Sequence, residues 1–112
     1  MAHRNIVTLL YAGLGLMFVI MSIPFILGRV EPNAYFGFRT AKTLSDTRIW
    51  YEANRFMGYA LLAAGAVTAA GAVLIRFFYP ADPSTVVKAN LGVFVLSMAV
   101  AAALSYWKLS RI

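Results

Sequence analysis

The stretch GYALLAAGAVTAAGAVLI, residues 58–75, contains no charged side chain and consists mainly of Ala, Gly, Leu and Val. With the two apolar residues before it, a helix over 56–75 would be about 30 Å long, which matches the hydrocarbon core of a bilayer. Two further uncharged runs, 6–27 and 89–107, would reach about 33 Å and about 28 Å. The sequence therefore predicts an all-α integral membrane protein with three transmembrane helices.

The composition agrees with that class. Hydrophobic residues make up 62% of the chain and charged residues only 12%, whereas soluble domains are far less apolar. We expect one three-helix membrane domain over 1–112, with spans at about 6–27, 56–78 and 87–107. A structured polar loop, residues 29–55, is predicted between the first two helices. The first run is too long for a signal-peptide core and no small-residue cleavage motif follows it, so we expect it to be retained.

Several kinds of chemistry lack the residues that they need. The chain has no cysteine, and His3 is its only histidine, which argues against thiolate metal sites, zinc, haem and a Ser-His-Asp triad. The only charges within the spans, Arg76 and Lys88, lie near span ends, so a proton or ion path has no obvious carrier. We expect no enzyme, no cofactor, no metal site and no transporter.

The basic residues indicate an orientation. The net charge is +6, but the bases lie at the ends of apolar runs, where they anchor helices, and we therefore expect no nucleic-acid partner. Three spans place the loop and the C-terminus on one side, and that side has most of the basic residues: Arg29, Arg39, Lys42, Arg48, Arg55, Lys108 and Arg111. The positive-inside rule predicts a multi-pass cell-membrane protein with this side in the cytoplasm and the N-terminus outside.

Small residues predict close helix packing. Gly58, Gly65 and Gly71 lie in the second span, and Ser97, Ala101 and Ser105 repeat at helical spacing in the third. Such residues let helix backbones approach closely in a membrane. They fit contacts within one chain or between chains, so a homo-oligomer stays open.

The first half of the loop has turn chemistry and an aromatic cluster. Pro32 and Asn33 favour a turn, and Gly37 permits a positive φ or a close approach. The aromatic residues Tyr35, Phe36 and Phe38 are expected at the membrane interface or over the helix ends. These features predict an ordered loop.

The second half of the loop reads as a helix that continues into the second span. Ser45 or Asp46 can cap a helix that begins near Thr47. Trp50 and Asn54 then lie on one face of that helix. A helix from there to about residue 78 would be about 50 Å long, so its first turns must leave the bilayer.

The loop also contains an ordered set of motifs: Pro32-Asn33, Gly37-Phe38-Arg39-Thr40, Thr43-Leu44, Trp50 and Ala53-Asn54-Arg55. In this position between two spans, the set resembles the signature of the SdpI family, which is named for a membrane immunity protein against a secreted sporulation-delay peptide toxin. The resemblance extends over about residues 6–107. It implies resistance to a peptide toxin, membrane signalling, or both, with a peptide toxin or a cytoplasmic regulator as partner. The candidate functional residues are Pro32, Asn33, Gly37, Arg39, Thr40, Thr43, Trp50, Asn54 and Arg55.

Individual side chains leave alternatives open. The Arg39 guanidinium suits a carboxylate or a phosphate, and its candidate partners are a lipid headgroup, a peptide C-terminus or an internal acid such as Glu52. The alternative is that Arg39 pairs internally or with Asp46 and locks the loop. For the asparagines, hydrogen bonds that shape the loop are favoured over ligand binding. Trp50 is expected to be an interfacial anchor. The alternative function is a structural or accessory subunit of a larger membrane complex, which the small-residue faces suggest.

Overall fold

Four α-helices and no strand make up the described part of this computed structural model, residues 2–78 and 82–112, with side chains from residue 5 onward. The helices are α1 (Ala2–Ile26), α2 (Ala41–Ser45), α3 (Thr47–Phe78) and α4 (Pro83–Ser110). Within those ranges, α1, α3 and α4 are long and apolar enough to cross a membrane. The predicted all-α fold with three membrane-spanning helices is confirmed. The His3 side chain lies outside the described part.

The long helices extend beyond the apolar runs. α3 begins nine residues before the apolar run at residue 56 and continues into it as one helix. Asp46 supplies the expected cap, because its Oδ1 accepts a hydrogen bond from the Arg48 N–H at 2.8 Å. At about 1.5 Å per residue, α3 is about 48 Å long, and its first turns therefore lie with the loop.

α3 is the central helix, and α1 packs closely along one side of it. The closest approach is between Gly15 and Gly65: a Cβ placed on Gly65 would lie 2.6 Å from the Gly15 carbonyl oxygen. Towards the loop, a Cβ on Gly58 would lie 2.9 Å from the Ile26 side chain. These glycines let the two backbones touch, as small residues do in membrane helix pairs.

α4 packs on another side of α3. The Thr68 and Ser97 hydroxyls are 3.3 Å apart, and the Cβ position of Gly71 is 3.1 Å from the Val93 side chain. α1 and α4 meet over a smaller area, where the centroid of the Phe94 ring is 6.5 Å from that of Tyr11 and 6.0 Å from that of Phe18. Of the predicted small residues of α3, Gly58 and Gly65 thus pack on α1, and Gly71 packs on α4.

Candidate functional site

The loop begins where a glycine ends α1. Gly28 has φ +68°; its N–H donates to the Phe25 carbonyl at 3.2 Å, and the Arg29 N–H donates to the Pro24 carbonyl at 2.9 Å. This pair of bonds is a Schellman motif, which satisfies the last carbonyls of a helix. Arg55 adds a third bond there, because its Nε donates to the Ile26 carbonyl at 3.1 Å. Arg55 therefore connects the end of α1 to α3.

Trp50 lies at the centre of the cap that the loop makes over the bundle. Its side chain is 0% exposed, and its Nε1–H donates to the Val30 carbonyl at 2.9 Å. The expectation that Trp50 is an interfacial anchor is wrong. The reason is tertiary: the loop folds back over α3 and encloses the ring, and the one polar atom of the indole finds a backbone partner.

Asn33 shapes the turn after Pro32. Its Oδ1 accepts from the Tyr35 and Phe36 N–H groups at 2.8 and 2.9 Å. Its Nδ2 donates to the Glu31 carbonyl at 2.8 Å. All three bonds are local and exposed. Asn33 thus closes an Asx turn, as its residue type favours.

Asn54 ties the loop to α3. Its Oδ1 accepts from the Phe38 N–H at 2.7 Å, and its Nδ2 donates to the Phe38 carbonyl at 3.3 Å and to the Trp50 carbonyl at 2.9 Å. Asn54 is 2% exposed, so both main-chain groups of Phe38 depend on one buried amide. This contact spans sixteen positions of sequence.

Gly37 is needed in this arrangement for two reasons. Its φ is +107°, which L side chains rarely adopt, and a Cβ there would lie 3.0 Å from the Asn54 Oδ1 and 3.1 Å from the Trp50 ring. The loop backbone can approach Asn54 only because this position has no side chain. Both roles expected for Gly37, a positive φ and a close approach, are confirmed.

Thr40 and Thr43 form a capping box around the short helix α2. The Thr43 N–H donates to the Thr40 Oγ1 at 3.1 Å, and the Thr40 N–H donates to the Thr43 Oγ1 at 2.7 Å. Thr43 is 0% exposed. Sequence reasoning missed this helix, although two threonines three residues apart are the spacing of a capping box.

Lys42, on α2, holds the end of α4. Its Nζ donates to the Leu109 carbonyl at 2.7 Å, one of the terminal carbonyls that a cation favours at a helix C-terminus. A second contact joins the loop to α4: the Phe38 and Tyr106 ring centroids are 5.0 Å apart, edge to face. The loop thus contacts all three long helices. Lys42 was not among the predicted site residues, and no local pattern points to it.

Arg39 is exposed and bonds within the loop. Its guanidinium donates to the Ala34 carbonyl. Among the described residues, both ion pairs belong to Glu52, whose carboxylate is 3.8 Å from both Arg48 and Lys108. Of the internal partners considered for Arg39, the carboxylates of Asp46 and Glu52 are therefore not used. Arg39 instead pairs within the loop, through its bond to the Ala34 carbonyl, and its side chain is exposed.

The loop aromatics divide between cover and surface. Phe36 and Phe25 form an edge-to-face pair with centroids 6.4 Å apart, and Phe38 covers the end of α4. Tyr35 is 85% exposed. Tyr35 is therefore on the surface of the loop, next in sequence to Ala34, whose carbonyl accepts the bond from Arg39.

The chain is similar to known proteins in this region. The profile of the SdpI/YfhL protein family matches residues 29–107. The match begins at the loop and does not include α1, so it is shorter than the resemblance over about residues 6–107 that the sequence motifs suggested. A stretch of 43 residues is 37% identical to the Uncharacterized protein YfhL of Bacillus subtilis (strain 168), and covers 38% of this chain and 39% of that protein. No solved structure matches the chain.

The family match covers more than two thirds of the sequence and includes every candidate loop residue. It also includes the two long apolar helices α3 and α4. The chain is therefore a multi-pass membrane protein that belongs to the SdpI/YfhL protein family.

Proposed function

We propose that this protein is a non-enzymatic membrane protein that confers resistance to a peptide toxin, or signals across the membrane, through the loop between α1 and α3. The family supplies the class of function, and the loop supplies the surface. The observation that carries the proposal is a separation of roles within the loop. The buried signature residues hold the loop in one shape, and the signature residue Arg39 and the neighbouring Tyr35 are presented on the outside of that shape.

The chemistry of that surface suits a peptide. A guanidinium that already has one bond to the loop is oriented, and its remaining N–H groups match a carboxylate such as a peptide C-terminus. An exposed tyrosine nearby adds apolar contact area with few rotatable bonds, which is why aromatic residues recur in recognition surfaces. Among the described residues, no carboxylate forms an ion pair with Arg39. A carboxylate on a partner would therefore not have to displace one from the Arg39 guanidinium.

The test is a protection assay in cells that express the protein and are exposed to the secreted sporulation-delay peptide toxin. We expect Arg39→Ala to abolish protection and Arg39→Lys to weaken it, because lysine lacks the forked donor geometry. Arg48→Ala is the matched control: this arginine is also exposed, with its side chain 74% accessible, but lies outside the signature. Membrane levels of all variants are measured in parallel. Full protection by Arg39→Ala at normal membrane levels would show that the loop surface is not the active one.

We propose that the loop and the C-terminus face the cytoplasm. The support is the excess of basic residues at this end of the bundle. Because the chain has no cysteine, single cysteines can be introduced cleanly at Ser45 in the loop and at Ser84 at the other end. A membrane-impermeant thiol reagent applied to intact cells is expected to label Ser84→Cys and not Ser45→Cys; the reverse pattern would invert the orientation.

The accessory-subunit alternative has less support from the glycines of α3, because Gly58 and Gly65 pack on α1 within the chain. Native mass spectrometry of the protein extracted in mild detergent tests the alternative directly, since a stable larger complex would favour it.

A further inference from the structure

A groove opens between α3 and α4 directly beneath the loop. We name it the loop-side groove; its walls include Met57, Leu61, Ala102 and Tyr106, and the loop residues Gly37 and Phe38 close its upper end. Its volume is about 260 Å³ and its walls are almost wholly apolar. The groove is open to the side of the bundle, so in a membrane it faces lipid.

The dimensions of the groove fit one acyl chain. On α4 it runs from Met98 to Tyr106, which is about 12 Å at about 1.5 Å per residue. One leaflet contributes about 15 Å to a hydrocarbon core of about 30 Å. The groove therefore extends along most of one leaflet, starting at the level of the loop.

The net charge is positive at the end of the bundle where the loop lies. Seven basic residues and three acidic ones lie in the loop and at the end of α4. One of the acids, Glu52, is already within 3.8 Å of both Arg48 and Lys108. Lys108 follows the groove residue Ser105 by three positions, so the two lie on the same face of α4. The Lys108 side chain is 33% accessible. Basic residues at the membrane surface between helices favour anionic lipid headgroups.

A second groove, on the other side of the α3–α4 contact, lacks these features. It is larger, about 400 Å³, and its lining residues include Ala63, Val67, Leu96 and Val100. No charged residue lines either groove, but the second groove has no loop residue in its lining and so does not end at the loop with its basic residues. It offers acyl-chain contact without a headgroup site.

We propose that the loop-side groove binds one acyl chain of an anionic phospholipid, whose headgroup lies against the basic residues at this end of the bundle. In this arrangement the loop lies between the acyl chain and the headgroup of the lipid. Phe38 and Tyr106 contact the upper part of the acyl chain, and Lys108 contacts the phosphate. This lipid site is separate from the outer surface that Arg39 presents.

The test compares lipid retention by native mass spectrometry after the protein is extracted from bilayers of equal parts phosphatidylglycerol and phosphatidylcholine with the same acyl chains. We expect the wild type to retain phosphatidylglycerol preferentially. Ala102→Trp fills the groove and is expected to lower retention about tenfold, equivalent to about 1.4 kcal/mol of binding free energy. The matched control is Ala103→Trp, an exposed neighbour on α4 that lines neither groove.

The headgroup is tested separately. Lys108→Gln is expected to remove the preference for phosphatidylglycerol, and Lys88→Gln, an exposed lysine at the other end of α4, is expected to keep it. Equal retention of the two lipids by the wild type would overturn the anionic headgroup. Equal loss of lipid in Ala102→Trp and Ala103→Trp would overturn the groove.

A measurement on the unaltered chain covers the case in which a tryptophan variant fails to fold. A phosphatidylglycerol with a photoreactive diazirine in its acyl chain is cross-linked to the wild-type protein, and the labelled peptides are mapped. Labels at Met57, Met98 and Ala102 are expected. Labels confined to the second groove, at Ala63 and Val100, would overturn the proposal.

Discussion

Two asparagines of the loop each make three hydrogen bonds to backbone groups, but they differ in burial, and this difference predicts different costs of removal. Asn33 is in the exposed turn, and its three bonds are local. Asn54 is 2% exposed and is the partner of both Phe38 main-chain groups. A simple count of hydrogen bonds predicts equal effects.

The magnitudes follow from what replaces each bond. In Asn54→Ala, the Phe38 N–H loses its acceptor in a half-buried place, which costs about 1 to 3 kcal/mol, and the bond to the Phe38 carbonyl adds about 1 kcal/mol. The Trp50 carbonyl is within α3 and keeps its backbone hydrogen bond there, so losing the Asn54 bond costs little. In Asn33→Ala, water reaches the exposed groups, and the expected cost is about 0.5 to 1.5 kcal/mol. The two variants should therefore differ by about 2 kcal/mol.

The assay is reversible unfolding of the purified protein in mixed micelles with increasing denaturing detergent. Tryptophan fluorescence reports on the cap, because Trp50 is buried beside Asn54. We expect the midpoint to fall much further for Asn54→Ala than for Asn33→Ala. Equal shifts, or a larger shift for Asn33→Ala, would refute the reasoning that burial rather than bond number sets the cost.

Two further predictions concern the bundle and the first turn of α4. Gly65→Ala is expected to destabilise the protein by about 1 to 3 kcal/mol, because the added Cβ would meet the Gly15 carbonyl. Gly92→Ala is expected to stabilise it by about 0.5 to 1 kcal/mol, because nothing lies within 4 Å of that Cβ position in the helix. The same unfolding assay measures both variants, and shifts of the same sign would contradict the close α1–α3 contact. The Thr85 hydroxyl donates to Asp82 and lowers the pKa of that carboxyl, so the interaction favours the folded state above the ordinary pKa and is lost as pH falls through the lowered one. Thr85→Ala should raise the pKa of Asp82 in a carboxyl carbon NMR titration, and an unchanged titration would show that the hydroxyl has no effect.

The loop shows where local sequence rules work and where they stop. The turn at Pro32 and Asn33 and the cap at Asp46 were predictable, because each depends on bonds to residues two or three positions away. Gly28 had a readable signal, a glycine just after an apolar helix. Trp50 was misassigned, because its type suits both a membrane interface and a buried site that satisfies its N–H. Only the partner, Val30 twenty residues earlier, distinguishes the two.

The sequence by itself determined the class of this protein, the number of long helices and the place of the loop. A bilayer makes this possible, since backbone polar groups in hydrocarbon must be satisfied within each helix, so that length and apolar character of a run suffice. Tertiary structure decided which loop residues are structural and which face outward. The contacts of Asn54, Arg55 and Lys42 join residues 16, 29 and 67 positions apart. Such contacts depend on how the helices pack, which no local pattern encodes.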